Sequence, residues 1–534
     1  MVPGCAGLSP EAPGDACDPD GDPCPTGSVC APGGDDHICQ TEPGQPCDPN
    51  GEDFCLGDSV CTETAEGGGI CGIPEGGECD PEESYCTGDL LCEPIVGGGH
   101  ACYPAVTIAG RVFDAQTDAA VEGAHVIAFD ESATAVSDVA VSGPDGDYSL
   151  VVPMERQTDG TPSPDAIITL RASAADYLTF PGGVRTALPI SGSEAMASDP
   201  GWTIQSAVTD VALLPLPSDQ QGRTTIEGRV VAGDLSAGVL VVAESGGAGI
   251  SAVSDKSGAY TIFNVPDGSY EVKGYAAGVQ LVPEAASVSG MPVLGVDLGM
   301  SQDALGSISG NIQIVNAPGG ATTNVVLVVA STFSETFVKG EVPRGLRAPL
   351  SGPPTISGDF HIEGVPAGEY VVLASFENDD LVRDPDQAIA GTDLVRVTMP
   401  LPGTPTNLDT SFKVTEALGV ISPGADEPEL VSQAPMLRWV DDSSEKFYTV
   451  TVYNAYGDLV WCRARNDVLD LLNLTACDDV EVPSVSGSDV EVSYGGPLEP
   501  GMYYQFRATS WREPGGGPTP ISQTEDLRGV FYVE

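Results

Sequence analysis

The segment Lys256-Ser257-Gly258-Ala259-Tyr260-Thr261-Ile262, with Val265-Pro266-Asp267-Gly268-Ser269-Tyr270 close behind, reads as two tight turns and the strand between them. Ser-Gly and Asp-Gly pairs supply the positive φ that such turns need, and Tyr260 opens a run whose alternate side chains face inward. Asp145-Gly146-Asp147-Tyr148-Ser149-Leu150 precedes it, and Ser357-Gly358-Asp359-Phe360-His361-Ile362 follows, continued by Val365-Pro366-Ala367-Gly368-Glu369-Tyr370. Upstream of each stands a second phrase: Ile108-Ala109-Gly110-Arg111-Val112, Ile226-Glu227-Gly228-Arg229-Val230 and Ile308-Ser309-Gly310-Asn311-Ile312. Between the two phrases runs a strand-like segment, 124–128, 238–242 and 324–329 in turn. One unit, repeated three times in the same order and built of short β runs bounded by Gly, Asp and Pro, predicts tandem β-sandwiches.

These phrases resemble the regulatory-like domain of carboxypeptidases, a seven-stranded transthyretin-like sandwich close to the starch-binding fold. The resemblance covers nearly all of residues 106–400; the first copy departs after Pro153, where 154–166 form a polar insertion. No catalytic partner accompanies the modules. A zinc carboxypeptidase needs clustered His and Glu ligands plus a general base, and the four histidines, His37, His100, His125 and His361, fall in separate units. Gly-x-Ser-x-Gly elbows, P-loops and dinucleotide fingerprints are absent from the sequence. Asp145 and Asp147 read as turn residues, not as a carboxylate pair.

A Pro-rich stretch, 399–405, is expected to link the third module to a different end. There, Pro435-Met436-Leu437-Arg438-Trp439 precedes the strand Tyr448-Thr449-Val450-Thr451-Val452-Tyr453, and Leu498-Glu499-Pro500-Gly501-Met502-Tyr503-Tyr504 follows. The last of these resembles the tyrosine corner of fibronectin type III domains, which makes Trp439 the core tryptophan and Tyr504 the corner. Cys462 and Cys477 close a short loop in this end.

The amino-terminal hundred residues are of another kind. Thirteen of the fifteen cysteines lie before residue 103. Twelve of them form three units: Cys17, Cys24, Cys30, Cys39; then Cys47, Cys55, Cys61, Cys71; then Cys79, Cys86, Cys92, Cys102. The units recur at offsets of 30 and 32 residues. Each is too small to bury a useful core, so two bridges per unit are expected to supply the stability. Four cysteines allow three connectivities, and spacing does not choose among them. Structural zinc sites favour Cys pairs two to four residues apart, which the gaps here do not offer. The pattern resembles the cysteine-rich modules of the Dickkopf amino-terminal region, which also occur in bacterial surface proteins.

Cys5 is left over. Val2-Pro3-Gly4-Cys5 is similar to the end of a bacterial lipobox, apart from Pro3, which implies a lipidated mature terminus; a free or intermolecular thiol is the other reading. Met1 is followed by neither a basic nor an apolar leader, so the export signal is expected to lie outside the given sequence.

Composition bounds the partners. The 534 residues carry 78 acidic against 21 basic side chains, a formal charge of −57. Residues 1–103 hold 21 of the acids and no Lys or Arg. Such a chain repels nucleic acid and anionic membranes and attracts cations, calcium above all. The candidate ligands are Asp18, Asp20 and Asp22 in one turn and Asp379, Asp380, Asp384 and Asp386 around Arg383 in another. The first set lacks the Glu that a twelve-residue calcium loop needs, since Val29 stands there. Solvated acidic surface is the alternative for both. No run of eighteen apolar residues exists to span a bilayer.

The expectation is therefore an all-β chain: an acidic tether (1–16), three four-cysteine repeats (17–103), transthyretin-like sandwiches at 104–219, 220–303 and 304–401, and a linker with a fibronectin-like sandwich at 402–534. Its expected role is that of a non-catalytic scaffold or adhesion protein, exported to the outer-membrane surface or beyond, with the sandwiches as spacers. The partner would be a protein or a glycan. Two alternatives stand beside it: a carbohydrate-binding accessory protein, and a regulatory subunit of an extracellular enzyme. Only four tryptophans are available as sugar platforms.

Overall fold

The computed structural model describes residues 12–533, apart from 20–23, 34–35, 53, 65–66, 82, 132, 183–184, 316–322, 335–339, 351–354, 377–393, 410–411, 416–417, 442–444, 469–476, 484–488, 514–517 and 525–526. The chain is all-β, with several small β-sheet domains following an amino-terminal disulfide-rich region. It divides into two compact units. One holds Met1–Thr107, Pro153–Ala166 and Ala195–Thr203; the other holds Ile108–Val152, Ile167–Glu194 and Ile204–Glu534.

In the first unit each cysteine repeat ends in a hairpin that places its last two cysteines opposite each other: Cys30 and Cys39, Cys61 and Cys71, Cys92 and Cys102. The facing sulfurs do not join. Each strand is tied back to the loop before it, first cysteine to third and second to fourth: Cys17–Cys30 and Cys24–Cys39, Cys47–Cys61 and Cys55–Cys71, Cys79–Cys92 and Cys86–Cys102. Closing loops of this size is worth about 3 kcal/mol per bridge on chain-entropy grounds.

Successive repeats are joined in one manner. Thr41 exchanges backbone hydrogen bonds with Phe54 and Leu56, and Ile73 does the same with Tyr85 and Thr87. The ring of Phe54 lies on Gly14 and that of Tyr85 on Gly44, where a Cβ would collide with the aromatic face. Residues 12–16 thus belong to the first repeat: Gly14 N–H donates to Cys39 O, and Cys39 N–H to Asp15 O. The expected boundary at residue 17 moves upstream accordingly. Pro104 stands where Thr41 and Ile73 stand in the earlier repeats. It has no N–H to give, so it cannot form the same joint.

In the second unit the sandwiches follow one plan. The module around Tyr260 sets three strands (Ala259–Val265, Thr224–Val231, Leu298–Gly299) against four (Ala248–Val253, Leu240–Ser245, Gly268–Tyr275, Glu284–Val288). In the preceding one, Asp147–Val152, Val106–Asp114 and Val211–Leu213 share a sheet, and Ala140–Val141, His125–Phe129, Ile167–Ser173 and Ile190–Ser191 form another. Alternation decides the core: Val106–Asp114 is buried at every second residue, as a half-buried strand must be.

The third sandwich corrects the expected boundary at 401. Pro405–Asn407 and Phe412–Thr415 both pair in parallel with Gly306–Val315, so its sheet takes up strands at the end of the expected linker 399–405 and beyond it. The last domain has a three-stranded sheet and a larger one built on Phe447–Asn454 and Tyr503–Arg512.

Instead of forming a string, the sandwiches share a core. Ile127 of the first, Leu240, Val242 and Tyr275 of the second, and Leu346, Phe360 and Tyr370 of the third fall in one buried apolar cluster. Period-two patterning announces the inner face of each sandwich. It is silent about the apolar residues left at a module edge, which need a neighbour.

Candidate functional site

Polar side chains that are buried must be explained by their partners, and in the second unit several polar side chains lie at the joints between modules. Arg171, in Ile167–Ser173, reaches Ser251 Oγ at 3.1 Å and Glu341 Oε1 at 2.9 Å, so one guanidinium links three sandwiches. Ser251 Oγ in turn donates to Glu341 at 2.8 Å. Arg347 Nη1 meets Asp130 Oδ2 at 2.6 Å, again third sandwich to first. Asn264 holds a left-handed backbone, φ 58°. Its side chain accepts from Asp176 N–H at 2.7 Å and donates to the carbonyls of Ala174 and Tyr177. Arg185 donates to Ala212 O at 2.8 Å and to Tyr456 O, fastening the carboxy-terminal domain to the first sandwich.

In the first unit the buried charged side chains, among the described residues, are Glu93 and Arg156. Glu93 lies in Leu90–Pro94 and Arg156 in the insertion after Pro153. Glu93 accepts from Met154 N–H at 2.6 Å. Burial pushes its carboxyl up to about 7, against the opposing pull of that N–H and of Arg156. Arg156 donates to Pro104 O at 2.7 Å and Gly160 O at 3.3 Å, and its guanidinium lies over the ring of Tyr103. Burial also draws the pKa of its guanidinium below the ordinary value. Sequence reading marked the insertion as polar but gave it no role. The available signal was a Glu inside an otherwise apolar strand, Leu90-Leu91-Cys92-Glu93.

Among the expected calcium ligands, Asp18 is exposed in the first repeat, outside any strand. Asp20, Asp22, Asp379, Asp380, Asp384 and Asp386 lie outside the described residues, as does Cys5. Cysteine sulfurs come close together in all three repeats, for instance Cys17, Cys24 and Cys30. Each is joined in a disulfide, and metals bind the thiolate. Cys462 pairs with Cys477.

The histidines are kept apart. His125 packs edge-on against Phe263 at 4.9 Å, where burial lowers its basicity. His361 sits between Ser309 and Glu363 on the surface. Among the described residues, no helix is long and apolar enough to cross a membrane.

The chain matches no known protein family and no curated protein. Solved structures similar to it share little sequence. The Bacillus anthracis TIE protein is 10% identical over 78% of this chain and 68% of its own, with a TM-score of 0.13. GBS52, the minor pilin of Streptococcus agalactiae, is 14% identical over 38% of this chain and 98% of its own, at 0.17. Two B repeat units of the collagen binding protein of Staphylococcus aureus are 11% identical over 80% and 99%, at 0.15. Likenesses this distant carry nothing about what the chain binds.

Proposed function

We propose that this chain is a non-catalytic, exported scaffold or adhesion protein of a bacterial surface. On this reading it comprises three Dickkopf-like disulfide repeats, three transthyretin-like sandwiches of the carboxypeptidase regulatory type and a fibronectin type III-like end. The three-plus-four strand arrangement around Tyr260 supports the second assignment. For the third, Trp439 is fully buried against Tyr448 and Phe506, and Tyr504 Oη accepts from Glu499 N–H at 2.9 Å, as a tyrosine corner requires.

The observation that carries the proposal is how the modules are joined. Arg171, Glu341, Arg347, Asn264 and Arg185 hold modules to one another. A chain whose modules are fastened to one another by side-chain hydrogen bonds and ion pairs suits a rigid display role.

A protein partner is favoured over a glycan, because Trp439, Trp461 and Trp511 are buried in the carboxy-terminal domain and cannot serve as sugar platforms. The test is a glycan array run beside a pull-down, both with the intact exported protein. Saturable binding of one glycan class would replace the protein-partner reading by the carbohydrate-binding one. Capture of a single hydrolase would make the chain a regulatory subunit. For Cys5, intact mass of the protein from native membranes decides between a lipid anchor and a free thiol.

A further inference from the structure

The insertion 153–166 and the third cysteine repeat meet around one sealed carboxyl. Glu93 stands opposite Ala101 in the last hairpin of the repeat and is 1% exposed. One of its oxygens accepts from Met154 N–H; the other, equally buried, has no hydrogen-bond donor. The same loop is laced to the hairpin by its backbone: Arg156 N–H donates to Pro94 O and Val96 N–H to Arg156 O, each at 2.8 Å. Gly160 closes against the ring of Tyr103.

The two buried charges are unequally served. Arg156 leaves its Nε without an acceptor, but both terminal nitrogens have carbonyls and the guanidinium has an aromatic face, so the cation is held without a carboxylate in contact. An ionised Glu93 has one donor for two oxygens. From the loop, Arg156 is the charged group that faces Glu93; Glu155 stands beside it in the chain, next to Asp165. On the hairpin side, His100 lies opposite Pro94, and Glu78 bridges to Ala101.

We propose that the loop 153–166 is a pH-operated latch on the third cysteine repeat, closed when Glu93 takes up a proton and loosened when Glu93 ionises. A buried carboxylate short of donors is costly, and lifting the loop returns it to water. The pKa of Glu93 fixes the direction. With the loop docked it is raised to about 7 from an ordinary 4.5, so the docked state holds the proton more tightly. Closure is favoured in full below the lower value and lost as pH rises through the upper one. Linkage then lowers the docking constant about tenfold between roughly pH 6 and pH 8.

Amide hydrogen exchange on the intact chain tests this, at Val96 and across 154–157, after correction for the intrinsic rate at each pH. Protection should fall about tenfold from pH 6 to pH 8. It should stay level in Glu93→Gln, which keeps an oxygen for Met154 but cannot ionise. Arg156→Gln removes the attraction that favours the carboxylate and should move the midpoint upward. A level profile in the unaltered protein overturns the proposal, as does an unaltered slope in Glu93→Gln. Should mispaired bridges show that Glu93→Gln does not fold, an Arg156→Gln midpoint that fails to rise overturns it instead.

Discussion

Tyr260 donates its hydroxyl to the carbonyl of Val296, and it does so across the bare α-carbon of Gly228. A Cβ on Gly228 would run into that carbonyl, so the glycine of the first recurring phrase and the tyrosine of the second serve one contact. The first sandwich repeats the arrangement with Gly110, Tyr148 and the carbonyl of Thr209. In the third, Phe360 has no hydroxyl, and its ring lies against Gly310.

Tyr260→Phe should therefore leave a buried carbonyl without this donor, at a cost of about 1–3 kcal/mol. Gly228→Ala should cost more, because the obstruction is backbone and cannot swing aside. Chemical-denaturation midpoints of the two variants check the order. Equal stability of Tyr260→Phe and the parent would mean that the hydroxyl contributes nothing.

At the three-way joint, Arg171→Met alone removes one partner of a largely buried ion pair and should destabilise by about 3–5 kcal/mol. Arg171→Met with Glu341→Leu should recover most of the loss, since neither charge is then stranded. A double-mutant cycle reads the coupling directly. Strict additivity would show that the two side chains do not support each other.

Non-reduced peptide mapping of the exported protein should find first-to-third and second-to-fourth bridges within every repeat, and Cys462 with Cys477. A bridge running between repeats, or zinc in stoichiometric amount, is the outcome that refutes this pattern.

Calcium should raise the melting temperature of the intact chain at fixed ionic strength, with a saturable midpoint of about 10⁻⁴ to 10⁻³ M, and magnesium should do less. The reason is the density of carboxylates and the lack of any cation in residues 1–103. Identical curves for both ions would leave the acidity a matter of solubility.

Local chemistry made much of this architecture legible. The cysteine spacing announced three repeats, and the turn-plus-tyrosine phrase announced the sandwiches, because both signals lie within a few residues of the structure they specify. Tyr148 and Tyr260 are buried as alternation demands. The boundaries were less legible. Thr41 and Ile73 join repeats through backbone hydrogen bonds, which leave no mark on side-chain type. Pro405–Asn407 looks like a linker until its parallel partner in Gly306–Val315 is known.

By itself the sequence determined the all-β class, the number of repeats and the inward face of each strand, since turn preference and period-two burial act over neighbouring residues. Only the tertiary structure decided that Glu93 would meet Met154 and Arg156 some sixty residues on, and that Arg171 would find Glu341 at a separation of 170. Such pairs obey no local rule. They form because folding brings edges of different modules together, and a charge enclosed there must take whichever partner the other edge presents.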